Sequence, residues 1–375
     1  MNTRLERLRP WSTLLIGGVL AILTGCESAQ PTARQESVKR WNDARADVKL
    51  KLAADQLNAG HLEDAANEIA AAERLDPLHP ALLPLQARLC LAQGNLVAAE
   101  KLLRGAPAAA QNRGETEYLL GVLAEQRMRW EEALQHYVNA AEADSGEVAY
   151  VTAIVQLLLQ QGKAADSLAA LESYEAQFGW TGAYQAALAE CYEQLGDWPR
   201  AVTAWRRVIA ADSNADIRER LALALYRAGR WSEAVPQLRQ VLEIPGQPLL
   251  TPLRLALADC CLQTNDPDSA HEQLGHVLRE NPRDSGALRL QACAYARQNL
   301  FTQALYSAEQ ALLGAPDDRN TLEIAAALAY RAGKHDRAAV LARRLAQVSP
   351  DAANPLVDHI LKAAENVPAM NADTR

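Results

Sequence analysis

GETEYLLGVLAEQRMRWEEALQHYVNAAEADSGE, residues 114–147, contains two helical patterns separated by one interruption. Tyr118, Gly121, Val122 and Glu125 recur at intervals of three and four. Met128-Arg129-Trp130 breaks the run, and Ala133, Leu134, Tyr137 and Ala140 resume it. Residues so spaced share one face of a helix. The stretch therefore reads as two short amphipathic helices joined by a tight turn. Small residues on both halves imply close approach, and Gly121 is expected to face Ala133 across the pair.

The same arrangement returns along most of the chain. Gly60, Gly94, Met128, Gly162 and Gly196 follow one another at 34 residues, and the ladder continues through Gly229, Asn265, Asn299 and Gly333. Five residues after each marker stand Ala65, Ala99, Ala133, Ser167, Ala201, Ala234, Ala270, Ala304 and Ala338. Seven before each stand Ala53, Ala87, Gly121, Val155, Ala189, Ala222, Ala258, Ala292 and Ala326. Bulk collects two after the marker (Leu62, Leu96, Trp130, Trp198, Trp231, Phe301) and nine after it (Ile69, Leu103, Tyr137, Leu171, Trp205, Leu238, Leu274). Small positions facing bulky ones predict an interlocked seam. Gly and Asn at the marker tolerate the left-handed conformation that ends a helix. Met128 does not, so a less strained turn is expected there. Pro77, Pro282, Pro316 and Pro350 fall where one unit hands over to the next. Nine near-copies of one unit predict a stacked array, in which each module packs on its neighbours.

Two units depart from the pattern. The fourth, Val148–Thr181, has Val155, Ala164 and Ser167 at the patterned positions. The seventh follows an insertion, Ile244-Pro245-Gly246-Gln247-Pro248, and has Pro267 in the aromatic slot. Irregular stacking or a hinge is expected near both. At the start, Glu36–Lys51 extends the first helix, with Val38 and Trp41 expected to shield the end of the array. Beyond Asn354, Leu356, Val357, Ile360 and Leu361 form an apolar stripe suited to a capping helix, with a frayed tail after Pro368.

This pattern resembles the tetratricopeptide repeat. The resemblance rests on the period, the paired small residues, the aromatic after the turn and the closing proline, and covers residues 46–352. It implies an all-α protein: an α-α superhelix (a tetratricopeptide solenoid) of about nine helix-turn-helix repeats plus a C-terminal capping helix over 353–375. It also implies that the first helices line a concave surface that binds proteins or peptides. Two before each marker, the row Asn58, Ala92, Gln126, Gln160, Gln194, Arg227, Gln263, Arg297 and Arg331 is mostly polar and turns basic toward the C-terminus. Tyr118, Tyr226, Arg289 and Tyr330 stand near it, as do Arg88, Glu125, Gln156, Glu190, Glu193 and Asp259. The resulting candidate groove comprises Gln126, Gln160, Gln194, Arg227, Arg289, Arg297, Arg331, Tyr118, Tyr226 and Tyr330. Amides there would pair with an extended backbone, and an arginine end would favour acidic segments or a C-terminal carboxylate. The Lys/Asn clamp of the chaperone-binding members is not reproduced.

Residues 1–25 are a different kind of sequence. Arg4, Arg7 and Arg9 precede an apolar run, Trp11–Leu23, and then Leu23-Thr24-Gly25-Cys26. Thirteen helical residues rise ~20 Å, short of the ~30 Å hydrocarbon core. The segment reads as a secretion signal. Its end resembles the bacterial lipobox, which implies that Cys26 is acylated and N-terminal after cleavage, with residues 26–45 comprising anchor, tether and helix start. Glu27 in place of an aspartate implies the outer rather than the inner membrane, with the protein facing the periplasm.

The chain carries a formal net charge of −8, and a basic surface for phosphate is not expected. Nucleic acid is therefore not expected as the partner. His61, His79, His136, His271, His276, His335 and His359 form no HExxH or zinc spacing, and no phosphate loop, dinucleotide fingerprint or nucleophile elbow is present. No enzyme activity, metal or cofactor is expected. The histidines near turns, His61, His271 and His335, read as solvated. Cys90, Cys191, Cys260, Cys261 and Cys293 read as packing residues. The exported compartment is oxidising, which leaves a Cys260 or Cys261 pairing with Cys293 open. The layout resembles tetratricopeptide lipoproteins of pilus assembly, and equally adaptors of peptidoglycan or outer-membrane assembly machinery.

Overall fold

The computed structural model describes residues 33–105, 112–212, 214–244, 250–349 and 355–365. Cys26, the leader, residues 245–248 of the insertion, Pro350 and the tail after Pro368 lie outside the described residues. Within them are twenty helices and no strand. They belong to two compact units, Met1–Ser145 and Gly146–Arg375.

The first unit contains α1 (Ala33–Asn58), α2 (Leu62–Leu75), α3 (Leu82–Ala92), α4 (Leu96–Arg104), α5 (Arg113–Gln126) and α6 (Trp130–Ala143). The second contains α7 (Val148–Gln160), α8 (Ala164–Glu172), α9 (Glu175–Phe178), α10 (Gly182–Leu195), α11 (Trp198–Ala211), α12 (Ala215–Arg227) and α13 (Trp231–Leu242). It continues with α14 (Leu250–Gln263), α15 (Pro267–Glu280), α16 (Ser285–Arg297), α17 (Phe301–Gly314), α18 (Arg319–Arg331), α19 (His335–Val348) and α20 (Pro355–Glu365). Consecutive helices pack as antiparallel pairs. First helices of successive repeats also touch, as in α1 with α3 and α3 with α5 in the first unit, or α12 with α14 and α14 with α16 in the second. Each unit therefore has an inner row of first helices.

The turn inside every pair is built alike. All nine marker residues have a left-handed φ between 59° and 79°. In each, the marker N–H bonds to the carbonyl three residues back. The next N–H bonds five back at 2.8–2.9 Å, as in Asp197 N–H to Tyr192 O and Lys334 N–H to Ala329 O. This is the Schellman closure of a helix, which satisfies two of its orphan carbonyls and reverses the chain. Met128 has φ 59° and makes both bonds, so its turn is as left-handed as the others. The expectation of a relaxed turn there is corrected: the closure fixes the backbone whatever residue occupies it.

The seam is dry. Ala65, Ala99, Ala133, Ser167, Ala201, Ala234, Ala270, Ala304 and Ala338 are all 0% exposed. The bulky position nine after the marker, Ile69 to Leu274, is buried as well. In the third repeat the expected partner of Gly121 is corrected. A Cβ on Gly121 would lie 2.5 Å from Cδ1 and Cε1 of Tyr137, not against Ala133. The glycine makes room for the largest fully buried side chain, whose hydroxyl donates to Glu125 at 2.7 Å.

The fourth repeat is irregular, as its sequence predicts. Its second helix, α8, stops at Glu172, and α9 adds a single turn. Phe178 is buried there, and the Tyr184 hydroxyl donates to the Leu171 carbonyl at 3.1 Å. The seventh repeat is regular, contrary to expectation. Pro267 occupies the first turn of α15, where its missing N–H is harmless, and Asp266 accepts from Ser269 N–H at 3.1 Å as the cap. At the C-terminus, Val357 and Ile360 of α20 are buried in one cluster with Leu341 and Leu345 of α19. At the N-terminus, Val38 and Trp41 do not cover the array but face solvent.

A candidate partner-binding surface

The Schellman turn fixes where the polar row lies. Residues two before each marker form the last turn of each first helix, on the inner row. In the first unit, Gln126 at the end of α5 is exposed. Tyr118, a little over two turns earlier, is half-buried with its ring 5.5 Å from that of Tyr137, and burial raises its hydroxyl pKa. Asn58 is engaged at its side chain, accepting from Arg88 of the next first helix at 2.9 Å.

In the second unit, Gln160, Gln194, Arg227 and Gln263 are exposed. Around them the surface is organised by bonds between neighbouring first helices. Tyr226 on α12 donates to Asp259 on α14 at 2.8 Å, and Gln263 donates to the other oxygen of Asp259 at 3.3 Å. Burial, then the Asp259 bond, push the Tyr226 hydroxyl up to about 12. Arg220 on α12 pairs with Glu190 and Glu193 of α10 at 3.3 and 3.1 Å, and its guanidinium lies over the Trp205 ring. Trp205 Nε1–H donates to Glu193 at 2.7 Å. Burial raises the Glu190 pKa and Arg220 opposes it.

The basic end is partly committed within the fold. Arg297 donates to the Leu262 carbonyl of the preceding repeat at 2.7 Å, and Arg331 lies over the Phe301 ring at 5.5 Å. A cation at the end of a helix also suits the helix dipole. Arg289 is half-buried on α16. Tyr330 is held between His335 of α19 and His359 of α20, at centroid distances of 5.2 and 5.4 Å. His271, read as solvated, instead stacks on Tyr295 at 4.5 Å. Gln160 and Gln194 thus sit in one unit with side chains open to solvent; Arg227 is exposed with its guanidinium over the Tyr226 ring at 5.9 Å, Arg297 is exposed while donating to Leu262, and Tyr330 serves the packing.

Sequence reasoning passed over Arg220 and treated Trp205 as packing alone. A signal existed: Arg220 lies 27 and 30 residues from its acidic partners, close to one repeat. The five thiols at Cys90, Cys191, Cys260, Cys261 and Cys293 are free, and burial raises the pKa of each. Among the described residues, no group of three or more His, Cys, Asp or Glu is placed to hold a metal ion.

Two family models, each described as tetratricopeptide repeat, match the chain: one over residues 50–113 and 187–248, the other over 225–292. The chain is similar to cellulose synthase operon protein C of Pseudomonas fluorescens, 26% identical over 74% of this chain and 23% of that protein. It is also similar to human protein O-mannosyl-transferase TMTC1, 27% identical over 35% of this chain and 15% of that protein. The chain thus spans less than a quarter of either relative's length. Among solved structures it is similar to PilW, a type IV pilus biogenesis factor, at 16% identity and a TM-score of 0.48, over 56% of this chain and 96% of that one. The segments that the family models match, residues 50–113 and 187–292, are tetratricopeptide repeats, and the same left-handed turn and buried small residue recur in the other helix pairs.

Proposed function

We propose that this protein is a lipid-anchored, non-catalytic scaffold that holds other proteins at the periplasmic face of a bacterial membrane. The observation that carries the binding role is the inner row in the second unit. Gln160, Gln194 and Arg227 recur at the same place on successive first helices, and their side chains stay exposed. Amides and a guanidinium spaced by one repeat suit the carbonyls, N–H groups and acidic side chains of an extended segment. The residues behind them are tied into a rigid base by Arg220 with Glu190 and Glu193, and by Tyr226 with Asp259. A preorganised surface binds at lower entropic cost.

The anchor follows from residues 1–26: a charged start, an apolar run too short to span, and a small pair before Cys26. Two or more acyl chains on that cysteine make a stable attachment. Labelling cells with a palmitate analogue tests this: the protein labels, globomycin retards its processing, and Cys26→Ser abolishes the label. Unchanged labelling of the Cys26→Ser variant would end the anchor reading.

The machinery served is an envelope assembly, such as pilus or secretion apparatus. The alternative client is a peptidoglycan or outer-membrane assembly enzyme, which this protein would position or regulate. In vivo crosslinking with partner identification decides between them. Recovery of secretin or pilus subunits supports the first, and recovery of peptidoglycan enzymes supports the second.

A further inference from the structure

The first helix carries two apolar faces. Ala46, Leu50 and Ala53 are buried against the first unit. On the other side Val38, Trp41, Val48 and Leu52 are 54%, 66%, 67% and 42% exposed. At ~100° per residue, these four fall within about 80° of one another on the helix. Elsewhere in the described chain such exposed groups are scattered (Leu78, Val97, Trp180 and Leu313 among them), and only here do four share one helix face.

Charge follows the same division. Arg34 and Arg45 stand within the exposed stripe, and both are exposed. Glu36, Asp43 and Asp47 lie on the other side of the helix, and only Asp55 borders the stripe, at its far end. Residues 33–58 hold six basic and four acidic side chains, a net +2 in a chain of −8. On this face a Trp and valines are interleaved with arginines and the acids are turned away, so apolar groups can enter the headgroup region of an anionic bilayer while the cations meet its phosphates. The arginine stems cover apolar surface while their heads reach phosphate.

We infer that α1 docks on the anionic phospholipid surface through Val38, Trp41, Val48 and Leu52, with Arg34 and Arg45 on the headgroups. The inference rests on the reading that the chain is held at a membrane by Cys26. Six residues, 27–32, separate Cys26 from Ala33. Even fully extended, the seven steps from Cys26 to Ala33 reach only ~25 Å, so an acylated Cys26 holds the N-terminal end of α1 within that distance of the bilayer. A partner protein or a second copy on this stripe would have to compete with a surface that the tether keeps beside it.

The test uses the chain from residue 26 onward carrying Cys26→Ser, which leaves out the apolar run Trp11–Leu23, mixed with phosphatidylethanolamine–phosphatidylglycerol vesicles containing brominated lipid. Quenching is taken as the difference between this protein and its Trp41→Phe variant, so that it reports the indole alone. Trp41 is expected to be quenched. Trp41→Asp with Val48→Asp, and separately Arg34→Glu with Arg45→Glu, are each expected to weaken vesicle binding by about tenfold or more. Thermal melting of these variants is expected to be unchanged, since the side chains are exposed. Unquenched Trp41 would overturn the inference, whether or not the protein sediments with the vesicles. So would a dimer in solution that Trp41→Asp abolishes, since a second copy would then cover the stripe. Because the tested chain has no thiol at position 26, the outcome is independent of whether that cysteine is acylated in cells.

Discussion

At the scale of single residues, the turn and the seam decide stability. Gly121 is replaceable only if the Tyr137 ring moves, because an added Cβ meets it at 2.5 Å. Gly121→Ala should destabilise the protein by ~1–3 kcal/mol, the usual cost of overpacking. Most of that cost should vanish in a Tyr137→Leu background, which restores the small-with-Leu pairing seen at Ala87 and Leu103. A double-mutant cycle by chemical denaturation checks this, and additive effects would show that the two positions do not share the space. Met128 holds φ 59° against its own preference. Met128→Gly should raise stability by up to ~1 kcal/mol, the order of the left-handed penalty for a residue with a Cβ. Burial also sets the alkaline limit. Cys191 and Cys260, with Tyr184 and Tyr226, are pushed up to about 12 from ordinary values of 9.0 and 10.0, burial being the first cause in each. The unfolded chain releases these protons from about pH 9, while the folded chain keeps them until about pH 12. Stability from these groups is full below pH 9 and falls as pH rises through that window. Denaturation midpoints measured across the window should decline, and alkylation of Cys191 and Cys260 at pH 8 should require unfolding.

At the scale of elements, most of the architecture was legible in the sequence, and the misses have physical reasons. Periodicity placed the helix pairs because each small residue must clear a neighbour, and these residues are fully buried. It misread Met128, because a marker judged by residue preference ignores the two backbone bonds that close every turn. It misread the seventh repeat, because Pro267 in an aromatic slot is also a proline at the first turn of a helix, where it is tolerated. It misread Val38 and Trp41, because an apolar stripe shows that a helix has a face and not what covers it. The capping helix carries its own prediction. Ile360 is 1% exposed, packed with Val357 against α19. Ile360→Asp should release α20 and remove the His359 side of the Tyr330 stack. Hydrogen exchange should then rise in α18 and α19 while α10 to α14 keep their protection, since neighbours alone stabilise each repeat. Uniform loss of protection through the second unit would contradict a locally coupled array.

At the scale of the whole molecule, the sequence reading yielded a surface and not a partner. Gln126, Gln160, Gln194 and Arg227 were placed by register, and they are exposed in the structure. Arg297 and Tyr330 were placed by the same register, yet Arg297, though exposed, donates to the Leu262 carbonyl and Tyr330 packs between two histidines, because spacing alone does not show which side chains a neighbour engages. The basic end is therefore better probed at Arg227 and Arg289, whose replacement leaves the Arg297–Leu262 bond in place. Arg227→Glu, at the exposed position, should reduce capture of an acidic partner several-fold with an unchanged melting temperature, Arg289→Gln should reduce it less, and unaffected capture in both would exclude the basic end as a contact. The most direct test of the scaffold places a photo-crosslinking residue at Gln160, Gln194 or Arg227 in living cells, with Arg206 and Gln273 on second helices as controls. The first-helix positions should give adducts to a discrete envelope protein and the controls none. Adducts from the second helices alone, or equal adducts from both faces, would contradict the scaffold reading.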